Sequence, residues 1–384
     1  MQRRDPVAEV TTSRRIVVTG GAGFIGTHLC RSLRADGHSV VVLDSRLSQV
    51  HGDLSSGEAT DGIVRADVRD ADAVGQVMDG AEVVYHLAAE TGVGQSQYEI
   101  ARYVGTNTLG TAVVLQAAVA AKVAQVILTS SRAVYGEGSH RCPACDRSFS
   151  GHGRRTVDMD NAIWELRCPR CGGAAHPMPM TESDASAPTS IYGITKLQQE
   201  ELATAVGATY GIPVTILRLF NVFGPGQSLR NPYVGVLGTF FRQALSGGSI
   251  ELYEDGQMGR DFVFIDDVVG ALHSSMANET VHGLTINVGS GVPVRLIDVA
   301  AHLFDYLDKT PEIVVSGRYR VGDVRHAVAD TTLLTATLGS ARPTDIVDGL
   351  AAYAAWARAN PAGAADDAAE AQLTSRQLLR GGGR

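Results

Sequence analysis

The segment RIVVTGGAGFIG, residues 15–26, decides the fold of this 384-residue chain. Its first part, Arg15–Thr19, is a short β-branched run typical of a buried parallel strand. Glycines 20, 23 and 26 follow at once and precede a helical pattern. Gly20 and Gly23 allow a tight turn and the close approach of a pyrophosphate, and Gly26 lets the helix pack against the strand. Such a glycine pattern alone also fits a turn selected for geometry, so its interpretation depends on the rest of the chain.

Strand-like and helix-like segments alternate after this turn. Strand-like runs occupy residues 39–43, 83–87, 125–129 and 214–219, and helical patterns occupy 24–36, 107–121 and 192–208. This alternation predicts an α/β protein with a Rossmann-type, doubly wound parallel sheet.

Composition divides the chain into further parts. Residues 137–188 are rich in Gly, Pro, Cys, His and Arg, have no sustained period and interrupt the alternation. We therefore expect an NAD-binding Rossmann domain at 14–220, which contains a metal-binding insertion at 137–188. A smaller and mainly substrate-binding lobe is expected at 221–360, interleaved with the Rossmann part. A flexible arm at 1–13 and a disordered tail at 361–384 are expected at the two ends.

Several residues around the glycine-rich turn favour a dinucleotide cofactor. Phe24 and Ile25 open the helix whose N–H groups would face the phosphates. Asp44 ends the second predicted strand, where its carboxylate can accept hydrogen bonds from the adenosine ribose and would repel a 2′-phosphate. Asp67 and Val68 follow another short strand and are candidates for an adenine contact. The pattern therefore predicts NAD rather than NADP.

A second group of residues has side chains that are suited to acid–base catalysis. Tyr192 and Lys196 are one helical turn apart and share a face. A nearby cation lowers the pKa of a phenol, so Tyr192 could act as a base while Lys196 also holds the nicotinamide ribose. Ser131, at the end of a strand in ILTSSRAVYG, could hydrogen-bond a substrate oxygen that loses its proton. Taken singly, these residues also fit a surface pair and a helix cap.

Together with the glycine-rich turn, these motifs occur in a specific order along the chain. They are TGGAGFIG from Thr19, YHLAA from Tyr85, NTLGT from Asn107, SSRAVYG from Ser130, YGITK from Tyr192, LRLFNVFGPGQ from Leu217, GRDFVFIDD from Gly259 and NVGSG from Asn287. In this order the chain resembles the extended short-chain dehydrogenase/reductase family of nucleotide-sugar enzymes. The resemblance covers about residues 14–350 and is broken only by the insertion.

The resemblance implies site residues and partners. It implies a tightly bound catalytic NAD, with further contacts from Leu87, Ala88, Ala89 and Asn107. It places Ser131 at the position of the catalytic serine and makes Tyr192 and Lys196 the base and its partner. It also implies that the diphosphate of a nucleotide sugar contacts Asn221, Arg260 and, as a weaker match, Arg320, since the planar fork of arginine suits phosphate. Relatives commonly form homodimers through a helix bundle.

The residues of the strand-end motif differ between enzymes of this family that catalyse different reactions. The 4,6-dehydratases resemble T-D-E-V-Y-G there, whereas this chain has Ser131, Arg132 and Ala133 and so lacks both carboxylates. Ala133 also cannot replace the cysteine of the 3,5-epimerases. The remaining Ser/Tyr/Lys set favours a C4 epimerase that works through a transient 4-keto sugar. The insertion and its flanks look most like the subgroup that interconverts dTDP-linked L-rhamnose and 6-deoxy-L-talose. A dehydrogenase, reductase or dehydratase, and a non-catalytic Rossmann sensor, remain alternatives.

Four of the five cysteines form two C-x-x-C pairs in the insertion, Cys142 with Cys145 and Cys168 with Cys171. Each pair suits a tight knuckle that directs two thiolates to one ion, and two knuckles complete a tetrahedral site. We therefore predict a structural Zn²⁺, with iron as the alternative. Four thiolates leave no open coordination position, so the metal is expected to fold the insertion, which must lie near the mouth of the active site.

Composition excludes several classes. The net charge of −8 and a pI near 5.8 argue against a general nucleic-acid binder. The N-terminal residues lack an apolar core of the secretory type, and no apolar run approaches the roughly 18 residues needed to cross a membrane. We therefore expect a cytoplasmic enzyme with no nucleic-acid or membrane partner.

Overall fold

A seven-stranded parallel sheet organises the protein. The computed structural model describes residues 13–51, 62–231, 233, 235–307, 312–339, 342–360 and 368–382. The sheet strands are β1 (Arg15–Thr19), β2 (Ser39–Asp44), β3 (Ile63–Arg65), β4 (Val83–His86), β5 (Gln125–Ser131), β6 (Val214–Leu219) and β7 (Thr285–Val288). Their spatial order is β7-β6-β5-β4-β1-β2-β3, with every neighbouring pair parallel. The predicted doubly wound fold is confirmed.

Helices cover both faces of this sheet. They are α1 (Phe24–Ala35), α2 (Ala71–Met78), α3 (Gly110–Ala121), α4 (Ile191–Tyr210) and α5 (Ile265–Ala277). α1 and α5 pack with Thr332–Leu338 on one face, and α2, α3 and α4 pack on the other. Because apolar side chains meet both faces, the strands read as nearly continuous Val, Ile and Leu. Shorter helices are Ser48–His51, Val93–Ser96 and Ile100–Tyr103, and 3-10 turns are Arg132–Tyr135 and Glu279–Val281.

The helix predicted from residue 107 begins earlier. The π-helical turn Val104–Leu109 joins Ile100–Tyr103 to α3. The continuous stretch Ile100–Ala121 is the one helix among the described residues that is long and apolar enough to cross a membrane by length and composition. Here it contacts α2 and α4, and its Thr111 is fully buried and hydrogen-bonded to His86. These contacts are those of a core helix.

A smaller lobe has its own apolar core, in which the rings of Phe241 and Tyr353 lie 4.4 Å apart. Its helices are Val236–Leu245, Leu296–Leu307 and Ile346–Ala359. Its strands are Asn221–Phe223, Ile250–Leu252, Gly259–Phe264, Pro293–Arg295, Ile313–Val315, Arg318–Arg320 and His326–Ala327. Between them the chain returns to the Rossmann part through α5 and β7, so lobe and sheet are interleaved.

The insertion has a small antiparallel sheet of its own. Gly138–Cys142 lies between Arg147–Gly151 and His176–Pro177, and a short helix, Thr156–Asp160, follows the hairpin.

The C-terminal segment differs from the prediction of a disordered tail. Ala368–Ser375 is a helix, and Leu379–Gly381 pairs antiparallel with Arg318–Arg320. Leu373 and Leu379 are buried. The prediction was wrong for these residues because an Ala-rich, aperiodic sequence carries no sign of a strand partner about sixty positions earlier in the chain. Residues 361–367 and nearly all of the predicted N-terminal arm, 1–12, lie outside the described residues.

Candidate active site

A cleft of about 790 Å³ opens at the carboxyl ends of β1, β2, β4 and β5 and extends into the smaller lobe. Ligands of doubly wound sheets bind at this edge, and the volume suits an organic ligand. Among the predicted cofactor, catalytic and substrate residues, Asn107 alone does not line the cleft. The residues that line it are Gly20, Gly23, Phe24, Ile25, Gly26, Asp44, Asp67, Val68, Leu87, Ala88, Ala89, Ser131, Tyr192, Lys196, Asn221, Arg260 and Arg320.

The glycine-rich turn requires its glycines for space. Gly20 has φ +71°, and a Cβ there would lie 2.7 Å from the backbone nitrogen of Ala88. A Cβ on Gly26 would lie 2.4 Å from the carbonyl oxygen of Gly20. α1 begins at Phe24, and the residue that precedes it, Gly23, offers no side chain to cap the first turn. The N–H groups of this turn are therefore available to a phosphate.

Two carboxylates mark the nucleoside end of the cleft. Asp44 accepts hydrogen bonds from the backbone N–H groups of Ala22 (3.0 Å) and Arg46 (2.8 Å). Burial would raise the pKa of Asp44, but hydrogen bonds from His51 and Arg46 lower it overall, so the carboxylate is charged at neutral pH. Asp67 is paired with Arg69 at 2.7 Å, and this partner lowers the pKa of Asp67.

Asn107 supports the cleft from behind. Its amide nitrogen donates to the carbonyl oxygen of Glu90 (3.1 Å) and to the hydroxyl of Thr195 on α4 (2.9 Å), while its oxygen accepts from the Glu90 N–H (2.7 Å). All its hydrogen-bonding groups thus serve the protein. The predicted cofactor contact of Asn107 stays a prediction, and in this structure its buried amide is turned toward Glu90 and Thr195.

The predicted catalytic side chains lie together. Ser131 ends β5 and lines the cleft with Tyr192, and it is near enough to act on the pKa of that phenol. α4 starts at Ile191 because the Ser190 hydroxyl accepts from the N–H of Gly193 (3.1 Å) and caps the helix. Tyr192 and Lys196 then occupy its first two turns. Lys196 Nζ donates to the carbonyl oxygen of Thr129 (2.9 Å) and is thereby fixed beside the cleft.

Burial displaces the pKa values of Tyr192 and Lys196 in opposite directions. Burial raises the pKa of Tyr192, whereas the hydrogen bond with Ser131 and the charge of Arg132 act to lower it. Burial lowers the pKa of Lys196 to about 8, against the opposing effect of Glu200. Two polar groups close to one another with pKa values displaced by burial are typical of catalytic sites. A positive nicotinamide ring beside the phenol would lower the pKa of Tyr192 further.

Arg132 is a cleft residue that the sequence did not assign to the site. Its Nε donates to Oδ1 of Asn221 (3.2 Å), which is the only hydrogen bond of this guanidinium to the described residues. The bond orients the Asn221 amide so that its nitrogen remains free to donate into the cleft. Arg132 directly follows Ser131 at a strand end, and this position in the motif could have indicated that Arg132 belongs to the site.

The two predicted diphosphate arginines are held differently. Arg260 is buried, and its terminal nitrogens donate to the carbonyl oxygens of Gly259, Val324 and Arg325 at 2.7–2.9 Å. Burial lowers the pKa of Arg260 to about 9. Arg320 is instead paired with Asp323 at 2.9 Å, and its Nε has no hydrogen-bond partner among the described residues. Arg320 thus has more donor capacity left for a phosphate.

The four cysteines of the insertion converge on one point. Their Sγ atoms all lie within 4.8 Å of one another, with Cys142 and Cys171 3.5 Å apart and Cys145 and Cys168 also 3.5 Å apart. Zn–S bonds of about 2.3 Å in a tetrahedron place sulfurs roughly 3.8 Å apart, whereas a disulfide bond is about 2.05 Å long. The arrangement therefore fits a four-thiolate metal site.

Buried ion pairs attach the insertion to the smaller lobe. Arg154 pairs with Glu137 (2.8 Å) and with Glu254 of the lobe (2.7 Å), and these side chains are at most 2% exposed. Arg325 of the lobe pairs with Glu254 and with Glu165 of the insertion, both at 2.7 Å. Charges this deeply buried require their partners, so the insertion is fixed in one position relative to the lobe.

A match to a family model agrees with this geometry. The model described as "NAD dependent epimerase/dehydratase family" matches residues 16–154 and 171–289. The chain belongs to this family. The unmatched residues between the two segments lie inside the insertion, so the family match covers the sheet, most of the cleft and part of the lobe, and ends before Arg320.

Individual relatives have related activities. The chain is 37% identical to dTDP-L-rhamnose 4-epimerase of Burkholderia thailandensis over 92% of this chain and 97% of that protein. A solved structure of MoeE5 in complex with UDP-glucuronic acid and NAD is 30% identical, with a TM-score of 0.72 over 90% of this chain and 99% of that one. UDP-glucose 4-epimerase of Thermotoga maritima with UDP-glucose is 27% identical, with a TM-score of 0.72 and the same coverage. The predicted class, an NAD-dependent nucleotide-sugar epimerase, is confirmed.

Proposed function

We propose that this enzyme inverts C4 of a dTDP-linked 6-deoxyhexose and interconverts dTDP-L-rhamnose with its C4 epimer. The observation that carries the proposal is that Ser131, Tyr192 and Lys196 line one cleft together, at a strand end without a carboxylate. A relative whose name states this substrate, and which is 37% identical over nearly its whole length, supports the choice of sugar.

Proton transfer falls to Tyr192. Its phenolate accepts the proton of the C4 hydroxyl, and its phenol returns a proton to the same oxygen after inversion. Ser131 hydrogen-bonds that oxygen and stabilises the charge that develops on it. The charge of Arg132 favours the phenolate form of Tyr192, and Lys196 is fixed one helical turn away by the Thr129 carbonyl. The chemistry that bound NAD supplies is reversible hydride transfer at C4.

Inversion also requires that the 4-keto sugar present its other face. The nucleotide must therefore stay anchored by its diphosphate while the sugar turns. Asn221, its neighbour Arg132 and Arg320 all have donors available in this cleft and can serve as anchors. A dehydratase would need an acid and a base beside the sugar, and the corresponding positions are Arg132 and Ala133.

The decisive experiment follows the products. Purified enzyme is incubated with dTDP-L-rhamnose and, in parallel, with dTDP-, UDP- and GDP-hexoses, and the products are separated and identified by NMR. We expect conversion of dTDP-L-rhamnose to its C4 epimer without net NADH. Stoichiometric NADH would indicate a dehydrogenase, and loss of water from the sugar would indicate a dehydratase. Absence of turnover with every sugar would favour the non-catalytic sensor.

We also propose that the four-cysteine site holds structural Zn²⁺. Its support is the convergence of four free thiols at distances that fit tetrahedral sulfur coordination. Free cysteines at metal-ligand spacing are typical of a reducing compartment, which supports a cytoplasmic location. Elemental analysis should give about one zinc per chain, and iron in its place would overturn the choice of metal.

A homodimer is proposed from one apolar surface. Ile100, Val104 and Leu109 on the helical stretch Ile100–Ala121, and Ile194 on α4, are all at least 40% exposed. Adjacent exposed apolar side chains on two helices favour a helix-bundle contact with a second copy. Light scattering should give twice the chain mass, and Leu109→Lys should give the monomer, whereas Val347→Lys on a different exposed helix should not.

A further inference from the structure

The C-terminal helix is part of the wall of the active-site cleft. Ala369, Glu370 and Leu373 line the same cleft as Arg320. Leu373 is buried although the helix lies at the surface. A Cβ on Gly94 would lie 3.3 Å from Leu373 Cδ2 and 3.4 Å from Nη1 of Arg320, so these two side chains meet over the same glycine. Leu373 and Arg320 therefore lie against the same glycine in the wall of the cleft.

The strand that follows this helix is joined to the backbone of Arg320. Leu379 lies opposite Arg320 in the antiparallel pair, and the N–H of Val321 donates to the carbonyl oxygen of Leu378 (2.8 Å). On its other side the strand is held by the N–H of Glu254, which donates to the carbonyl oxygen of Arg318 (2.7 Å). The C-terminal segment thus supports the backbone of Arg320 from one side.

Side-chain contacts hold this segment in place at two further points. Glu370 pairs at 2.7 Å with Arg318, which lies two residues before Arg320 in the sequence. At the other end of the helix, the guanidinium of Arg376 lies over the ring of Tyr98 at 4.7 Å from its centre. Each of these exposed contacts contributes little to stability alone, but together they hold Leu373 against the cleft.

We propose that residues 368–381, here called the C-terminal strap, form part of the nucleotide-sugar site. Leu373 closes the cleft beside the diphosphate, and Leu379 positions Arg320 through the strand pair. An apolar cover lowers the local dielectric constant and strengthens the attraction between a guanidinium and a phosphate. Leu373 and Leu379 are therefore positioning residues that act through Arg320. The inference rests on the proposed nucleotide-sugar function.

The experiment measures binding without turnover, by titration of the full-length enzyme with dTDP, and with UDP in parallel. Leu373→Ser and Leu379→Ser are each expected to weaken dTDP binding about tenfold, since a well-placed guanidinium–phosphate hydrogen bond is worth one to two factors of ten. Thr374→Ala, an exposed neighbour on the same helix, is the matched control and should stay within about twofold. The content of bound NAD and the melting temperature are recorded for every variant.

A double-mutant cycle separates positioning from a general loss of structure. In an Arg320→Gln background, Leu379→Ser should weaken dTDP binding by less than about twofold, because the residue that it positions is absent. Two results would contradict the proposal. One is that Leu379→Ser weakens dTDP binding equally in both backgrounds, and the other is that Leu373→Ser and Leu379→Ser leave dTDP binding unchanged. If the unaltered enzyme binds neither dTDP nor UDP, the proposed function fails and the strap fails with it.

Discussion

The guanidinium of Arg154 donates from Nη2 to the carbonyl oxygen of Asp323, 3.0 Å away. The carboxylate of Asp323 in turn pairs with Arg320 in the cleft. A short series of contacts thus connects the insertion to the residue expected to hold the diphosphate. The insertion can affect substrate binding without contributing a metal to the chemistry.

Arg154→Gln is predicted to destabilise the protein and to weaken nucleotide binding. The change leaves Glu137 and Glu254 buried without this partner, and breaking a buried pair costs about 3–5 kcal/mol. It also frees Asp323, so the KM for the nucleotide sugar should rise more than kcat falls. Urea unfolding and steady-state kinetics measure the two effects.

Arg155→Gln is the matched control for this change. Arg155 is the next residue, is mostly exposed and pairs only with Asp158 among the described residues, so its loss should leave the free energy of unfolding nearly unchanged. Similar unfolding free energies for the two variants would contradict the role assigned to Arg154.

Tyr192→Phe is predicted to abolish epimerisation while leaving the ligands bound. Loss of a general acid–base group lowers a rate by about 10²–10⁴. NAD content and dTDP affinity should remain those of the unaltered enzyme, because the ring still fills its place. Tyr210→Phe, at the exposed end of the same helix, is expected to keep full activity. A Tyr192→Phe rate within about tenfold of the unaltered rate would require another base.

Acid is predicted to loosen the insertion through Glu165. Hydrogen bonds from His326 and Arg325 lower the pKa of Glu165 to about 2, despite the opposing effect of burial. A carboxylate with a lowered pKa in the folded state contributes stability above its unfolded pKa, near 4.5, and this contribution is lost as the pH falls toward 2. The unfolding free energies of the unaltered enzyme and Glu165→Gln should therefore differ at pH 7 and converge near pH 2–3. A difference independent of pH would exclude an ionic contribution.

Loss of one thiolate is predicted to release the metal. Cys145→Ser should lower the zinc content well below one per chain and make residues of the insertion sensitive to proteolysis, since a three-thiolate site binds less tightly. Cys30→Ala is the control, because Cys30 is buried in α1, and burial raises its pKa to about 11, so it remains a thiol. Full zinc content in Cys145→Ser would show that Cys145 is not a ligand.

The sheet and the cleft were predictable from the sequence because their signals are local. A β-branched run followed by spaced glycines fixes both a strand and a turn, and Tyr192 and Lys196 share a face by helix geometry alone. The two C-x-x-C pairs predicted a site whose sulfur atoms do converge in the structure.

The remaining features depend on contacts between distant parts of the chain. No local pattern shows that Asn107 turns its amide toward Glu90, or that Arg260 donates to backbone carbonyls from Gly259 and from residues 324–325. The order of the C-terminal segment comes from pairing with Arg318–Arg320, and Leu379 carries no sign of that partner. The position of Arg132 in its motif is evident from the sequence. Its hydrogen bond to Asn221 became evident only from the structure.

The position of Leu379–Gly381 has a practical consequence for handling the enzyme. A purification tag or immobilisation linker fused directly after Gly381 would start one strand away from Arg320, which lines the cleft. β1 begins at Arg15, on the edge of the sheet opposite the cleft, because parallel strands direct their carboxyl ends toward the ligand. A segment fused directly before β1 would therefore leave the sheet at the edge away from the cleft.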